Sequence, residues 1–251
     1  MTNRPKMTGS LVCCFITILI LIAPTNSGAS QDTSGGHFAT FKQLLRERNV
    51  SLTGEALVAA LRNTDPQVRY LAALVLAEDK ETNAIPAIAD ALATEKVPET
   101  RVNMALALAQ LGDENGIAAL RDDCSNSELA PSLRMYAAKY LLDLHSEGCL
   151  NSIEDVARSA KDPGARILAL SQLARFQHAS EADSDKIIRS LATGLSEKEP
   201  MVMIAASHGL SAFGSLAGIP YLQRAIAAEH DRTVRSIMQA DLQGLQQKAG
   251  H

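Results

Sequence analysis

Any chemistry in this 251-residue chain has to come from six histidines, four cysteines or a column of arginines. His37, His145, His178, His208, His230 and His251 include no two at spacing i, i+3 or i+4, so no helix presents a paired imidazole ligand set. His178 with Asp183 and Asp185 could gather a cation, but the stretch 177–183 (QHASEAD) reads as a solvated loop. There is no phosphate-cradling glycine loop and no Gly-x-Ser-x-Gly elbow. The residues therefore name no catalytic, metal or cofactor site. The expectation is a chain that is not an enzyme, carries no cofactor and shows no small-molecule substrate.

The cysteines form two pairs. Cys13 and Cys14 lie early in an apolar run, whereas a lipid-modified cysteine would end it. Cys124 and Cys149 lie in the body of the chain. If Cys124 ends one helix and Cys149 starts its parallel neighbour, they stand about 15 Å apart. A bridge needs Cα atoms within about 7 Å, so the expectation is that they do not pair.

The arginines belong to a repeat. Take Leu76 as a marker: leucine recurs at Leu108, Leu141, Leu173, Leu210 and Leu242, in steps of 32, 33, 32, 37 and 32 residues. Ten residues earlier stand Pro66, Pro98, Pro131, Pro163, Pro200 and Arg232; seven earlier stand Arg69, Arg101, Arg134, Arg166, Met203 and Arg235. Proline suits the first helical turn, where its missing N–H has no partner to lose. Asp65, Asp162 and Asp231 precede it as N-caps. Val68, Ala72 and Leu76 share one helix face at i, i+4, i+8. Each motif thus starts a three-to-four-turn B helix. Shorter A helices lie between, at 53–61, 84–92, 116–122, 151–160, 184–195 and 217–228. The five extra residues of the fifth repeat fall in the polar loop 177–183. A pair of about 32 residues cannot bury its own apolar face, whereas stacked pairs share a continuous core.

The strings Asp65-Pro66-Gln67-Val68-Arg69 and Leu111-Gly112-Asp113, with Gly218-Ile219-Pro220-Tyr221-Leu222, resemble the short HEAT-type repeats of phycobilin lyases. The resemblance covers about residues 51 to 247 and implies an all-α fold, a right-handed α-solenoid of about six helix pairs with B helices lining the concave side. Most members resemble scaffolds or partner-binding surfaces, and a minority are enzymes or enzyme subunits. No His-Glu dipeptide occurs, which counts against the di-iron hydroxylases built on similar repeats.

Two surfaces remain candidates. The arginine column is either a cationic stripe or a structural ladder, and repeat position favours the ladder. On a helical wheel the B-helix strip away from the A helices reads Tyr70, Leu74, Val102, Leu106, Met135, Lys139, Ile167, Ser171, Ile204, His208, Ser236 and Ala240. Its apolar part (Tyr70, Leu74, Val102, Leu106, Met135 and Ile167) is the candidate partner-binding site, unless neighbouring B helices bury it.

The N-terminus has its own composition. Arg4 and Lys6 precede the uncharged apolar run 11–23, followed by small residues at Ser27 and Ala29. That is the order of a secretory signal peptide, and the run is short for a membrane span of about 20 residues. The expected organisation is a signal peptide at 1–29, a flexible linker at 30–36, a capping helix at 37–50, the solenoid at 51–247 and a tail at 248–251. Without residues 1–29, which hold two basic and no acidic residues, 22 basic face 28 acidic residues, a net charge of −6. Nucleic acid needs clustered Lys and Arg, so it is excluded as a partner. The expectation is an exported chain, periplasmic or extracellular, membrane-anchored only if 11–23 is not cleaved. It would bind a protein on its concave face; the alternative is a phycobilin-lyase-like enzyme or lyase subunit.

Overall fold

Pro-initiated helices recur down the chain of the computed structural model, which describes residues 40–146, 148–176 and 179–248. The expectations for residues 1–39, a signal peptide and a linker, lie outside them. Thirteen α-helices and two short 3-10 turns, with no strand, make up the described residues. Helix α1 (Phe41–Glu47) precedes six A–B pairs: α2 (Gly54–Ala60) with α3 (Pro66–Glu78), α4 (Ile85–Thr94) with α5 (Pro98–Gln110), α6 (Glu114–Ser125) with α7 (Pro131–Asp143), α8 (Leu150–Ser159) with α9 (Pro163–Leu173), α10 (Glu181–Gly194) with α11 (Pro200–Phe213), and α12 (Ile219–Ala228) with α13 (Arg232–Lys248).

The caps work as their residue types dictate. Gln67 N–H donates to Asp65 Oδ1 at 2.8 Å, and Thr233 N–H to Asp231 Oδ1 at 2.8 Å. Asp162 takes two N–H groups, from Gly164 at 3.1 Å and Ala165 at 3.0 Å. Leu45 of α1 is fully buried against α3, so α1 closes the first end of the stack. Helix α13 shows Gln239, Gln243, Gln246 and Gln247 to solvent as a polar face.

The B helices pack in an unbroken series, α3 on α5 on α7 on α9 on α11 on α13. Among the A helices, α8 on α10 is the close pair. A layer whose helices touch throughout spans the shorter arc, so the B helices form the inner side of an α-solenoid. One continuous core links them: Leu76, Leu108, Leu141, Leu173 and Leu210 are all essentially sealed from water. Gly116 lets α6 press onto α5, since a Cβ there would stand 2.7 Å from the Ala105 carbonyl oxygen and 2.8 Å from Ala109 Cα.

Three expectations change. The extra length of the fifth repeat sits largely in α10, which starts at Glu181. Its N-cap is Ser180, whose Oγ accepts from Asp183 N–H at 3.1 Å. A Ser followed three residues later by an acidic side chain starts a helix, so Asp183 is a helix-start residue rather than part of a solvated loop. Ser180 and Lys186 hold its carboxyl below the usual carboxylate range. Lys248, assigned to the tail, is the last residue of α13, and its Nζ donates to the Ser211 carbonyl at 2.9 Å.

The third correction concerns the cysteines. Cys124 and Cys149 form a disulfide with Cα atoms 6.2 Å apart. The expected 15 Å supposed α6 and α8 side by side. Instead the first turn of α8 lies against the last turn of α6: Ser152 Oγ donates to the Cys124 carbonyl at 2.6 Å.

Candidate functional site

The arginine column is a ladder. Arg69 grips Glu95, at the end of the next A helix, with two N–H···O bonds of 2.6 and 2.9 Å. Its Nη1 donates to the Asn63 carbonyl, at the end of its own A helix, at 2.8 Å. That guanidinium, with the Val97 and Lys96 N–H groups, holds the Glu95 carboxyl below the usual carboxylate range. Arg101 pairs with the buried Asp123, and Arg166 pairs with Glu197 and the Ala157 carbonyl. Arg69 and Arg166 each link three segments of two repeats and Arg101 links two, and all three are engaged by carboxylates.

Two rungs differ. Arg134 donates to the Cys124 carbonyl at 3.3 Å and Ser152 Oγ at 2.5 Å, but its carboxylate, the half-exposed Asp155, is 3.8 Å away. At this junction the disulfide stands beside it. In the fifth repeat Met203 replaces arginine, and Glu229 serves the next backbone turn, accepting from His230 and Asp231 N–H at 2.6 and 2.7 Å. The polar link from α11 to α13 lies elsewhere. Ser207 Oγ donates to Asp241 Oδ2 at 2.5 Å, and His208 Nδ1 meets Asp241 Oδ1 at 2.8 Å.

The apolar strip is not an open groove. Leu74 is 5%, Val102 1%, Leu106 9% and Met135 0% exposed, and only Tyr70 and Ile167 are half-buried. The wheel set these residues away from the A helices. Neighbouring B helices, with α1 beside α3, cover them, which is the burial named above as the condition that removes the site. Large exposed apolar side chains among the described residues are Met201 and Leu216 alone.

The strip opens where it turns polar. Lys139 is half-buried, and Ser171, His208, Ser236 and Ala240 are exposed. Tyr140 reaches back to α5, where its hydroxyl donates to Asn103 Oδ1 at 3.2 Å. Burial, reinforced by Tyr136, Asp143 and Tyr70, pushes its phenol up to about 12. Asp143 accepts from Lys139 at 2.6 Å and from Arg175 of the following repeat at 2.7 Å, while Arg175 also donates to Gln172 at 3.0 Å. With Asp241 bound to Ser207 and His208, a polar ridge runs along the inner face of repeats three to six.

Asp143, Arg175 and Asp241 escaped the sequence reading. The available signal was the column two residues after the leucine marker (Glu78, Gln110, Asp143, Arg175), with Lys139 and Asp143 at i, i+4. The reading stopped at the apolar members of the strip.

HEAT repeats match residues 54–142 and 150–242. The interval between the two blocks is the linker into α8, where Cys149 sits. No curated protein sequence matches the chain. Among solved structures it is similar to human deoxyhypusine hydroxylase with glycerol (19% identity, 77% of this chain and 74% of that one, TM-score 0.42). It is similar to an engineered protein (22%, 82% and 60%, TM-score 0.46). It is also similar to the complex of CpcE and CpcF of phycocyanin lyase from Nostoc sp. PCC7120 (17%, 87% and 100%, TM-score 0.36). These findings overturn the expectation of a chain without enzyme activity. A hydroxylase and a lyase stand among the folds it resembles, so helical stacking and a missing sequence motif do not separate scaffold from enzyme. At these identities the likeness speaks to fold alone.

Proposed function

The chain belongs to the HEAT-repeat family, and from that premise we propose that it is an exported scaffold holding a protein partner on the inner B-helix face of repeats three to six. The observation that carries this reading is the ridge of Lys139, Asp143, Arg175, His208 and Asp241, fixed by hydrogen bonds, with His208 exposed and the other four part-exposed. Side chains ordered before binding lose less entropy on contact. Polar and charged groups set register and partner choice. Ile167, Leu168, Ile204 and Ala205 lie half-buried beside the ridge and add apolar contact. Two features support export: the apolar run 11–23 after Arg4 and Lys6, and a disulfide, which persists in oxidising compartments.

The test is affinity capture from the native envelope with a tagged chain. Lys139→Glu with Arg175→Glu should abolish recovery of the captured protein and leave helicity unchanged. Capture that survives this double reversal removes the reading. Export is checked by the N-terminal residue of the secreted chain, expected at Ser30. An intact Met1 on a cytoplasmic chain contradicts it.

A further inference from the structure

The disulfide between repeats stands where the ladder arginine lacks a close carboxylate. At the third-to-fourth junction Arg134 has its carboxylate 3.8 Å away and half exposed, whereas Arg69 holds Glu95 at 2.6 Å. Helices α6 and α8 do not lie side by side there, and the Cys124–Cys149 bridge joins the last turn of one to the N-cap of the other. Its two ends differ in access. Cys124 is fully buried. Cys149 is part-exposed and lines a cleft of about 490 Å³ with Ser152, Phe176, Ser180 and Lys186. Cys149 also holds a left-handed backbone, φ 63°, which costs energy in a residue with a side chain.

We propose that this bridge is a redox-operated clasp on the third-to-fourth junction, opened by an external dithiol that enters the cleft and attacks Cys149 Sγ. The attacking thiolate forms a mixed disulfide with Cys149. The bond to Cys124 breaks, and the Cys124 sulfur leaves with the electron pair and takes up a proton. The second thiol of the reagent, deprotonated, then attacks its own first sulfur and releases Cys149 as thiolate. The dithiol ends oxidised by two electrons to its disulfide, and the chain ends with two thiols. Cys124 leaves at the C-terminal turn of α6, next to the buried Asp123 carboxylate. Cys124 stays within reach of the mixed disulfide and re-forms the bridge unless a second thiol resolves it first. The clasp is therefore addressed by dithiols far better than by monothiols.

Once open, the junction keeps Ser152 Oγ on the Cys124 carbonyl, the Arg134 contacts and the Arg175–Asp143 pair as its polar ties. Repeats four to six then move against repeats one to three through the linker ahead of α8. The clasp holds whichever partner the inner face takes, so its failure and that of the partner reading are separate.

Hydrogen exchange on the full oxidised chain and on the chain reduced with dithiothreitol tests the proposal. Reduction should speed amide exchange over residues 148–160 by about tenfold or more and leave 66–110 unchanged. Cys149→Ser should reproduce that pattern without reductant. A brief pulse of 2-mercaptoethanol, acid-quenched and mapped by mass spectrometry, should leave its adduct on Cys149. The proposal is overturned by an adduct on Cys124, by unchanged exchange over 148–160, or by uniform acceleration along the chain.

Discussion

Repeats one and two and repeats four to six are built on one helical motif but expose different inner faces. In the first region α3 and α5 are enclosed: Leu71, Leu74, Val75, Val102, Leu106 and Ala107 are buried, and Arg69 and Arg101 lock both junctions to carboxylates. In the second region the corresponding positions carry Ser171, His208 and Ala240 in contact with water. The fifth repeat has lost its arginine. Tyr140 marks the border, closing over Asn103 on one side and standing beside Lys139 on the other, whose ammonium lies 5.6 Å from the ring centroid. The two regions divide the work: the first is a rigid, covered stack, and the second presents side chains.

The sharpest way to break that comparison is to charge the same column in both regions. Val102→Asp places an unpaired carboxylate in the core and should cost about 3–5 kcal/mol in urea unfolding, enough to unfold much of the chain. Ile204→Asp, on half-buried ground, should cost less than about 1 kcal/mol. Equal costs would erase the distinction. A Val102→Asp, Leu106→Lys pair, designed from sequence to test an open groove, would instead report on folding.

Next in size is the ladder. Arg69→Ala leaves Glu95, whose side chain is 3% exposed, without its partner and should cost about 2–3 kcal/mol at pH 7. Glu95 has a folded-state pKa depressed below its unfolded value. Its contribution is therefore present above the unfolded value near 4.3 and fades as pH falls through the folded one. The gap between wild type and Arg69→Ala should narrow below about pH 4 in the same denaturation series. A gap constant to pH 3 would show that Arg69 acts through packing alone. The smallest expected effect is a gain: Met203→Arg restores the missing rung near Glu229 and should add about 0.5–1 kcal/mol by thermal unfolding. No gain would mean that the Asp241 link already saturates that junction.

Much of the fold was legible because its signals are local. Proline after aspartate starts α3, α9 and, with Arg232 in the proline position, α13, and the leucine marker set all six B helices. The exposed inner face was less legible, since a helical wheel sees one helix and burial here comes from two neighbours. Tyr70, Leu74, Val102, Leu106, Met135 and Ile167 have the right chemistry for a groove, yet four of them are core. The disulfide was missed for the same reason. Where α8 starts along α6 depends on how the linker ahead of Cys149 turns, and no spacing rule carries that. The start of α10 was misread for a local reason, because Ser180 was taken as loop rather than as a cap.

The central claim is that the open inner face of repeats three to six carries partner binding. The most direct measurement is quantitative capture of the native partner by three chains: wild type, Ile204→Asp with His208→Glu on α11, and Asp185→Lys with Arg189→Glu on the exposed side of α10. The inner-face pair should reduce recovered partner by about tenfold or more, a loss of about 1.4 kcal/mol, at a temperature where the chain stays folded, while loss of the His208–Asp241 contact lowers the melting midpoint by a few degrees. The α10 pair should retain it. Full recovery with the inner-face pair, or loss with the α10 pair alone, contradicts the account.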